Sequence, residues 1–312
     1  MAVTTDPFTA ADLAAMIPEV WSDIVNEPNF PKAVLANFFT DLSEFMAEEG
    51  DICHVPNIYT NLFTVQTQST QGAEITTAGP AQVDTTLTVN THYYIAFIIG
   101  DKDLKQLAKH YKLNEAYARE CKNLLTQSLE DLLAALWSSL STNSVGDTAT
   151  VLSDAEIRDS INALDTLNYD LTETAFFFHP FVFWTQLGGV AKYYQQYQSQ
   201  LNFIKDGSFG PMDASRGLKG QLYGIPVYTT SRIVNGLQTY RNLFAHRSAF
   251  GFAVQTPGIK DEMGNGGRIR VQAEYSLRNL GMLTVVDMIV GVAVLREPAA
   301  VVVNANNAAK MS

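Results

Sequence analysis

Five histidines and two cysteines are the residues from which this chain could build a metal site or an activated nucleophile. They are His54, His92, His110, His179, His246, Cys53 and Cys121. Their spacing contains neither H-x-x-x-H nor C-x-x-C, two common metal-ligand spacings. Cys53 and His54 are adjacent, and adjacent side chains on a strand point to opposite faces, which disfavours a shared metal or a Cys–His pair. The sequence therefore predicts no metal site and no thiol catalyst.

Two further patterns could bind a cation or a phosphate. Asp101 and Asp103 place two carboxylates two residues apart, as some Mg²⁺ sites do, but their position at a predicted helix start favours capping. GNGGR, residues Gly264–Arg268, lacks the helix and lysine of a phosphate-binding loop and favours a hairpin turn. The chain also contains no G-x-S-x-G, H-E-x-x-H or G-x-x-x-x-G-K-[ST] motif. We therefore expect no enzymatic activity and no cofactor.

Three tyrosines in the stretch KYYQQYQ could stack on sugars or bases: Tyr193, Tyr194 and Tyr197. Such clusters more often mark a half-buried helix face or a contact between subunits. The sequence leaves the core and the subunit contact open as alternatives.

The charge balance limits the partners of the chain. It has 21 Lys and Arg against 32 Asp and Glu, a formal net charge of -11, and no basic cluster. Specific reading of nucleic acid needs such a cluster and is not expected. The longest apolar stretch, Gly281–Leu295, is too short for a membrane span and contains Asp287. Two cysteines and an N-terminus without a basic signal region indicate a protein made in the cytoplasm.

The elements that would position these residues include an unusually long strand. Apolar and polar residues alternate from Thr85 to Ile99, which predicts a strand of roughly 50 Å. With a strand candidate at Ile58–Gln68 and a tip at Gln71–Ala81, it would form an extended hairpin. The stretch between Asp51 and Gly100 contains neither Lys nor Arg, although exposed strand edges normally carry charges. Either the hairpin is a central pair of an ordinary sheet, or it reaches onto a neighbouring molecule.

The remaining pattern predicts a mixed α+β fold. A helix is expected from Asn114 to Leu140, with an apolar stripe through Tyr117, Cys121, Leu125, Leu129, Leu132, Leu136 and Leu140. A second helix follows from Ser153, where Ser153 and Glu156 fit a capping box, to about Leu167. Residues 1–50 are broken by prolines and are too sparse in apolar residues for a core of their own. Shorter strands are expected at Ala175–Phe178, Gln221–Thr230, Arg268–Tyr275, Ile289–Leu295 and Ala300–Val303.

The order of several motifs resembles one protein family. IPEVWS (Ile17–Ser22) is followed by GDICHVPNI (Gly50–Ile58) and by THYYIAFIIGDKD (Thr91–Asp103) before the long helix. GLKGQLYGIPVYTTS (Gly217–Ser231), VQAEYSLRNLG (Val271–Gly281) and LREPAAVVV (Leu295–Val303) come later. In this order and spacing, over nearly the whole chain, they resemble the major capsid proteins of tailed bacteriophages with the Hong Kong 97-type capsid fold.

The resemblance implies a role for each segment. Residues 1–50 would be an N-terminal arm, 51–100 the E-loop hairpin, and 101–167 the peripheral domain with its spine helix. Residues 168–264 would form the axial domain, 265–285 a strand of the peripheral domain, and 286–312 the closing axial strands and C-terminal tail. Inter-subunit contacts are expected at the E-loop tip, with Gln71, Glu74, Thr76 and Thr77.

The implied function is structural. Such a protein assembles with itself into hexamers and pentamers of an icosahedral head, in the host cytoplasm, and becomes part of the virion capsid. The implied partners are a separate scaffolding protein, a portal protein, non-specifically packaged double-stranded DNA and, in some heads, a decoration protein. A separate scaffold is expected because no scaffolding domain precedes the arm, and no E-loop lysine is present for a covalent cross-link. The alternatives are an encapsulin-like cellular shell and a small-molecule enzyme with the hairpin inside one sheet.

Overall fold

The computed structural model describes residues 33–46, 50–57, 67, 71–72, 83–101, 113–147, 150–187, 218–233, 235–236, 239–255 and 269–306. Their helices are α1 (Leu35–Phe38), α2 (Leu113–Leu136) and α3 (Asp154–Thr166). Their strands are β1 (Thr40–Asp41), β2 (Ile52–Asn57), β3 (Val83–Thr88), β4 (Thr91–Gly100), β5 (Ser144–Val145), β6 (Thr174–Phe178), β7 (Leu218–Leu222), β8 (Ile225–Thr229), β9 (Asn235–Gly236), β10 (Thr239–His246), β11 (Phe250–Gln255), β12 (Arg270–Ser276), β13 (Gly281–Val294) and β14 (Ala300–Asn306). The α+β class predicted from the sequence is confirmed.

The larger sheet has seven strands, in the order β5-β14-β10-β6-β8-β7, with β9 paired to β10. Its strands β6 and β8 are parallel, as are β5 and β14, and the other neighbours are antiparallel. The central strands contain short continuous apolar runs, AFFF in β6, AVVV in β14 and LFA in β10, which is typical of strands covered on both faces. All five residues of β6 are buried, which confirms the buried strand predicted at Ala175–Phe178.

The smaller sheet has five strands and is built around β13. β4 pairs with one side of β13 from Gly281 to Val290, while β12 and β11 pair in succession with the other side. β1 extends the sheet as a parallel neighbour of β11. The strand predicted at Ile289–Leu295 is therefore longer than expected, because pairing on both sides extends it back to Gly281.

One apolar core fills the space between the two sheets and includes one face of α2. Its buried members from the helix are Cys121, Leu125, Leu129, Leu133 and Ala134. Of the predicted stripe, Cys121, Leu125, Leu129 and Leu140 are buried, Leu132 and Leu136 pack half-buried against the core, and only Tyr117 is exposed. The structure keeps a spacing of four residues along the helix, so that Leu132 and Leu136 lie beside the buried stripe and are only half-buried.

A second core lies on the opposite face of the larger sheet, against α3. It contains Phe176, Phe178 and Phe244 from the sheet and Ile157 and Leu164 from the helix. The helix begins as predicted, because the Glu156 carboxylate accepts the Ser153 backbone N–H at 2.8 Å in a capping box. The larger sheet is therefore packed on both faces within this one chain.

The prediction of one continuous strand at Thr85–Ile99 is wrong, because Val89 and Asn90 interrupt it and separate β3 from β4. β3 pairs with β2, whereas β4 pairs with β13 in the smaller sheet. The Val89 backbone N–H donates to the Asp51 carbonyl at 2.7 Å, and the buried Val89 side chain directs the chain into the smaller sheet. The region Gln221–Thr230 likewise contains two strands, β7 and β8, joined by a turn at Tyr223 and Gly224.

The division of the chain into arm, E-loop, peripheral and axial parts stays a prediction. Its boundary between residues 285 and 286 falls within β13, and its E-loop segment 51–100 contains β4 of the smaller sheet. Nearly all of the strand predicted at 58–68, the tyrosines of KYYQQYQ and the turn within GNGGR lie outside the described residues.

Candidate interaction surface

β2 and β3 form a two-stranded ribbon that pairs from Ile52 opposite Thr88 to Asn57 opposite Val83. Its residues alternate between two faces, as the sequence pattern predicted. Leu87 is buried and Cys53 partly buried on one face, whereas His54 is exposed on the other. A two-stranded ribbon is marginally stable in water by itself. Its stability therefore depends on the surface against which it lies.

The root of the ribbon is held by a small apolar cluster against β11. The buried members of this cluster are Leu42, Met46, Leu87, Val89 and Ala253. The chain passes so close to β13 here that a Cβ atom at Gly291 would lie 2.3 Å from the Thr88 carbonyl oxygen. Only glycine allows this approach without a shift of the backbone. The contact fixes the position at which the ribbon leaves the smaller sheet.

Of the residues predicted at the tip, Gln71 lies in a turn with Gly72 and is exposed. Glu74, Thr76 and Thr77 lie outside the described residues. Their role as contact residues stays a prediction.

β4 has one covered face and one open face. Tyr93, Ile95 and Phe97 pack against the central core, while Tyr94 is 69% exposed and Ile98 41% exposed on the opposite face. Within the described part of the chain, β4 pairs only with β13, so one edge of β4 has no strand beside it. An apolar open face beside a free strand edge is a surface to which another chain can add.

Further apolar side chains are exposed around the turn between β12 and β13. Leu277 is 81% exposed and Leu280 is 65% exposed, and Leu280 has a φ of +48°. On the helix side of β4, an open groove of 310 Å³ is lined mainly by apolar residues, among them Ile95, Phe97, Tyr117 and Leu124. This end of the molecule therefore exposes much more apolar surface than the larger sheet does.

A buried carboxylate connects three strands of the smaller sheet. Asp287 on β13 is 2% exposed and accepts two hydrogen bonds from Arg270 on β12, at 2.9 and 2.6 Å. His92 on β4 lies 3.0 Å from the same carboxylate. Burial raises the pKa of Asp287, but the hydrogen bonds from Arg270 and His92 outweigh burial and hold the pKa below its ordinary value. Asp287, noted in the sequence for interrupting an apolar stretch, therefore serves as a cross-strand bridge.

The ribbon has one ion pair on its exposed face. His54 Nδ1 lies 2.5 Å from the Asp84 carboxylate, across the two strands. The hydrogen bond from His54 lowers the pKa of Asp84. Both side chains are more than half exposed, so the pair contributes little to stability.

The structure brings together one group of residues that the sequence did not connect. His246 Nδ1 lies 2.8 Å from the Ser248 hydroxyl, and His246 Nε2 lies 3.4 Å from the Glu173 carboxylate. Serine, histidine and carboxylate are the components of a hydrolytic triad. Here, however, the Ser248 backbone N–H also donates to Nδ1, and the Ala249 N–H donates to the His246 carbonyl, closing the turn between β10 and β11. The group thus stabilises a tight turn.

Among the described residues, no three side chains of the types that hold metals lie together. Both cysteines are free thiols. No helix in the described ranges is long and apolar enough to cross a membrane. The geometry that distinguishes this molecule is therefore that of its open sheet and ribbon.

No protein-family model matches the chain, and no curated protein matches it. Solved structures do match. A structure of Mycobacterium phage Che8 is similar with a TM-score of 0.70 at 18% identity, over 92% of this chain and 96% of that chain. The capsid of cyanophage P-SCSP1u is similar with a TM-score of 0.68 at 12% identity, over 96% of each chain.

The capsid of Ralstonia phage GP4 is similar with a TM-score of 0.62 at 12% identity, over 100% of this chain and 99% of that chain. In each case the likeness covers nearly the whole of both chains. It shows that this chain has the fold of these phage capsid structures, and the fold expected from the order of its sequence motifs is confirmed.

Proposed function

We propose that this chain is the major capsid protein of a tailed bacteriophage, a structural subunit that assembles into an icosahedral head enclosing double-stranded DNA. The observation that carries the proposal is a fold shared with phage capsids over nearly the whole of both chains. The chain covers 96% and 99% of these two matched capsid chains.

The shape of the molecule supports assembly. In the described part of the ribbon, Leu87 is buried and Cys53 and Val55 are half-buried at its root, and the open face of β4 exposes Tyr94 and Ile98. Apolar surface removed from water stabilises a contact by about 25 cal/mol per Å², before the cost of ordering the partners is subtracted. In a shell, neighbouring subunits would cover these surfaces. We propose Gln71, Glu74, Thr76 and Thr77 as contact residues at the tip of the segment that joins β2 to β3.

The proposal includes the arrangement of the shell and its partners. Hexamers and pentamers of the chain would form the head, with a separate scaffolding protein during assembly, a portal protein at one vertex and, in some heads, a decoration protein. Contact with DNA would be non-specific, since the net charge of -11 provides no basic surface for reading a sequence.

Co-expression with the scaffolding protein encoded beside it, followed by electron microscopy, tests the proposal. The expected result is closed particles of uniform size or capsomers that yield such particles. A strictly monomeric, folded chain in the presence of scaffold would contradict the proposal.

Deletion of residues 67–82 tests the role of the ribbon separately. Both strands remain, because β2 ends at Asn57 and β3 begins at Val83. We expect a folded subunit that no longer forms closed particles. In the matched control, a Gly–Ser segment of equal length replaces residues 67–82, so that the length of the connection between β2 and β3 is unchanged. A deletion variant that unfolds would show that this segment belongs to the core of one subunit.

Denaturing gel electrophoresis of purified particles without reductant tests how the shell is held together. The region 51–100 has no lysine to form an isopeptide bond, and both cysteines are free in the subunit. We expect a single band of the size of the monomer. A ladder of covalent multimers would contradict a shell held by non-covalent contacts.

A further inference from the structure

The start of α1, the first helix that the structure describes, is hydrogen-bonded to one buried carboxylate. Glu130 lies in the middle of α2, is 2% exposed, and points away from water. One of its oxygens accepts the backbone N–H groups of Val34 at 3.1 Å and Leu35 at 3.0 Å, and the other accepts that of Ala36 at 2.8 Å. These donors are about a hundred residues away in sequence and are the first backbone groups of α1.

The sequence around α1 explains why it needs this partner. The first N–H groups of a helix have no acceptor within the helix and are normally capped by Ser, Thr, Asp or Asn. The N-cap residue here is Val34, which has no side-chain acceptor. Glu130 therefore supplies from another helix the cap that the local sequence lacks, and its negative charge lies at the positive end of α1.

The surroundings of Glu130 make this attachment specific. Val34 and Leu35 are buried in the central core beside it. In the described part of the chain, the charged group that acts on Glu130 is Asp131, next on the helix, which is itself paired with Arg232 at 3.2 Å. Burial holds the pKa of Glu130 above its ordinary value, and the three N–H donors reduce this shift without cancelling it. Burying a carboxylate costs free energy unless hydrogen bonds compensate for the lost water, and here the three N–H donors provide that compensation.

We propose that Glu130 is a clasp that fixes the point and direction in which residues 1–32 leave the body of the subunit. The clasp acts through α1 and is a positioning device. Its consequence for the shell rests on the proposed function and on the further premise that residues 1–32 contact neighbouring subunits. Without the clasp, each arm would leave its subunit in many directions, and contacts that need one direction would be lost.

Hydrogen exchange of the unassembled subunit tests the clasp directly, because the three donors are themselves exchangeable amides. The variant is Glu130→Gln, which keeps the shape but removes the charge and places an N–H₂ group against N–H donors. The amides of residues 34–36 should exchange at least about tenfold faster, since hydrogen bonds to charged groups contribute more than neutral ones. Glu120→Gln, the same change elsewhere on α2, should leave them unchanged.

Hydrogen exchange of the amides in β6 and β10 distinguishes a local role of Glu130 at α1 from a general role in the stability of the subunit. In Glu130→Gln they should exchange as in the wild type, and an equal loss of protection there would overturn the proposal. Unchanged protection of residues 34–36 would overturn it as well. If Glu130→Gln does not fold, Glu130→Asp, which keeps the charge and shortens the reach, should give the same local loss. In the wild type itself, exchange of these amides at the rate of unprotected amides would also overturn the proposal.

Assembly with scaffold is the second readout. Glu130→Gln should lose most closed particles at a concentration where Asp159→Asn, the same loss of charge at an exposed position on α3, assembles like the wild type. Normal assembly of Glu130→Gln despite faster exchange would overturn the role in directing the arm. If the wild-type chain forms no particles, the proposed function fails, while the exchange experiment still decides whether Glu130 holds α1.

Discussion

The two sheets of this molecule are built from similar residues but are covered differently. In the larger sheet, alternate residues of β10 reach opposite cores: Leu243 and Ala245 lie in the central core and Phe244 in the second core. In the smaller sheet, β4 also alternates, yet its outer residues Tyr94 and Ile98 remain exposed. One sheet is thus completed within the chain, and the other is left open on one side.

The polar groups of the two sheets differ in the same way. The larger sheet buries Asn242, a neutral amide that accepts the His179 backbone N–H and donates to the Val303 carbonyl. The smaller sheet holds the charged group of Asp287, Arg270 and His92, with Arg270 and His92 partly exposed. The difference indicates that the larger sheet is covered on both faces within the chain, while the smaller sheet shares the central core and presents a second face whose apolar cover must come from outside the described chain.

The largest effect is expected in the larger sheet. Phe244→Ala removes a fully buried ring that stacks on Phe176 with centroids 4.3 Å apart. The cavity should destabilise the subunit by about 3–5 kcal/mol, measured by urea denaturation. Phe244→Leu, the control that keeps part of the volume, should cost less. A loss below about 1 kcal/mol would contradict the division of roles between the two sheets.

The next effect is expected at the carboxylate of the smaller sheet. Asp287→Asn should destabilise the subunit by about 2 kcal/mol at neutral pH, because Arg270 loses its charged partner. The pKa of Asp287 is lowered in the folded state. Its contribution is therefore fully present above the ordinary carboxyl pKa of about 4 and is lost as the pH falls through the lowered value.

Thermal unfolding at several pH values measures this contribution. The difference between wild type and Asp287→Asn should shrink as the pH falls below about pH 4. Asp84→Asn, at the exposed pair on the ribbon, is the control and should leave stability almost unchanged at every pH. A difference that does not shrink below about pH 4 would refute the assigned role of Asp287.

A smaller and local effect is expected where the ribbon crosses β13. Gly291→Ala places a Cβ atom 2.3 Å from the Thr88 carbonyl oxygen, so the root of the ribbon must move. We expect a cost of about 1–2 kcal/mol, with faster hydrogen exchange in β2 and β3. Exchange in β6 serves as the internal control and should not change. Equal loosening of β6 would mean that the ribbon root and the larger sheet unfold as one unit.

The smallest effect on the subunit is expected on the open face. Tyr94→Ala should change the stability of the unassembled subunit by less than about 0.5 kcal/mol, because the ring is 69% exposed. Phe97→Ala, on the same strand but facing the core, is the matched control and should cost about 2 kcal/mol. Particle yield should nevertheless fall in Tyr94→Ala if a neighbouring subunit covers this face. Unchanged assembly would remove Tyr94 from the contact surface.

Local patterns in the sequence determined much of this fold. The buried strand at Ala175–Phe178, the capping box at Ser153 and the inward face of Tyr93, Ile95 and Phe97 were all predicted, because periodicity and capping depend on residues within a few positions of one another. Of the candidate site, the alternation of the ribbon was predicted correctly, while the contact residues at its tip, apart from the position of Gln71, remain predictions.

Contacts between distant segments were decided only by the tertiary structure. The strand is interrupted at Val89 because of contacts with Asp51 and Gly291, whereas the alternating sequence pattern alone predicts that the strand continues. Glu130 reads in the sequence as an ordinary helix residue, and Asp287 as an interruption of an apolar stretch. The partners of Glu130 lie about 95 residues away in sequence. Those of Asp287 lie 17 and 195 residues away. Long-range pairing sets which polar groups are buried together, and a single sequence does not contain that information in its local pattern.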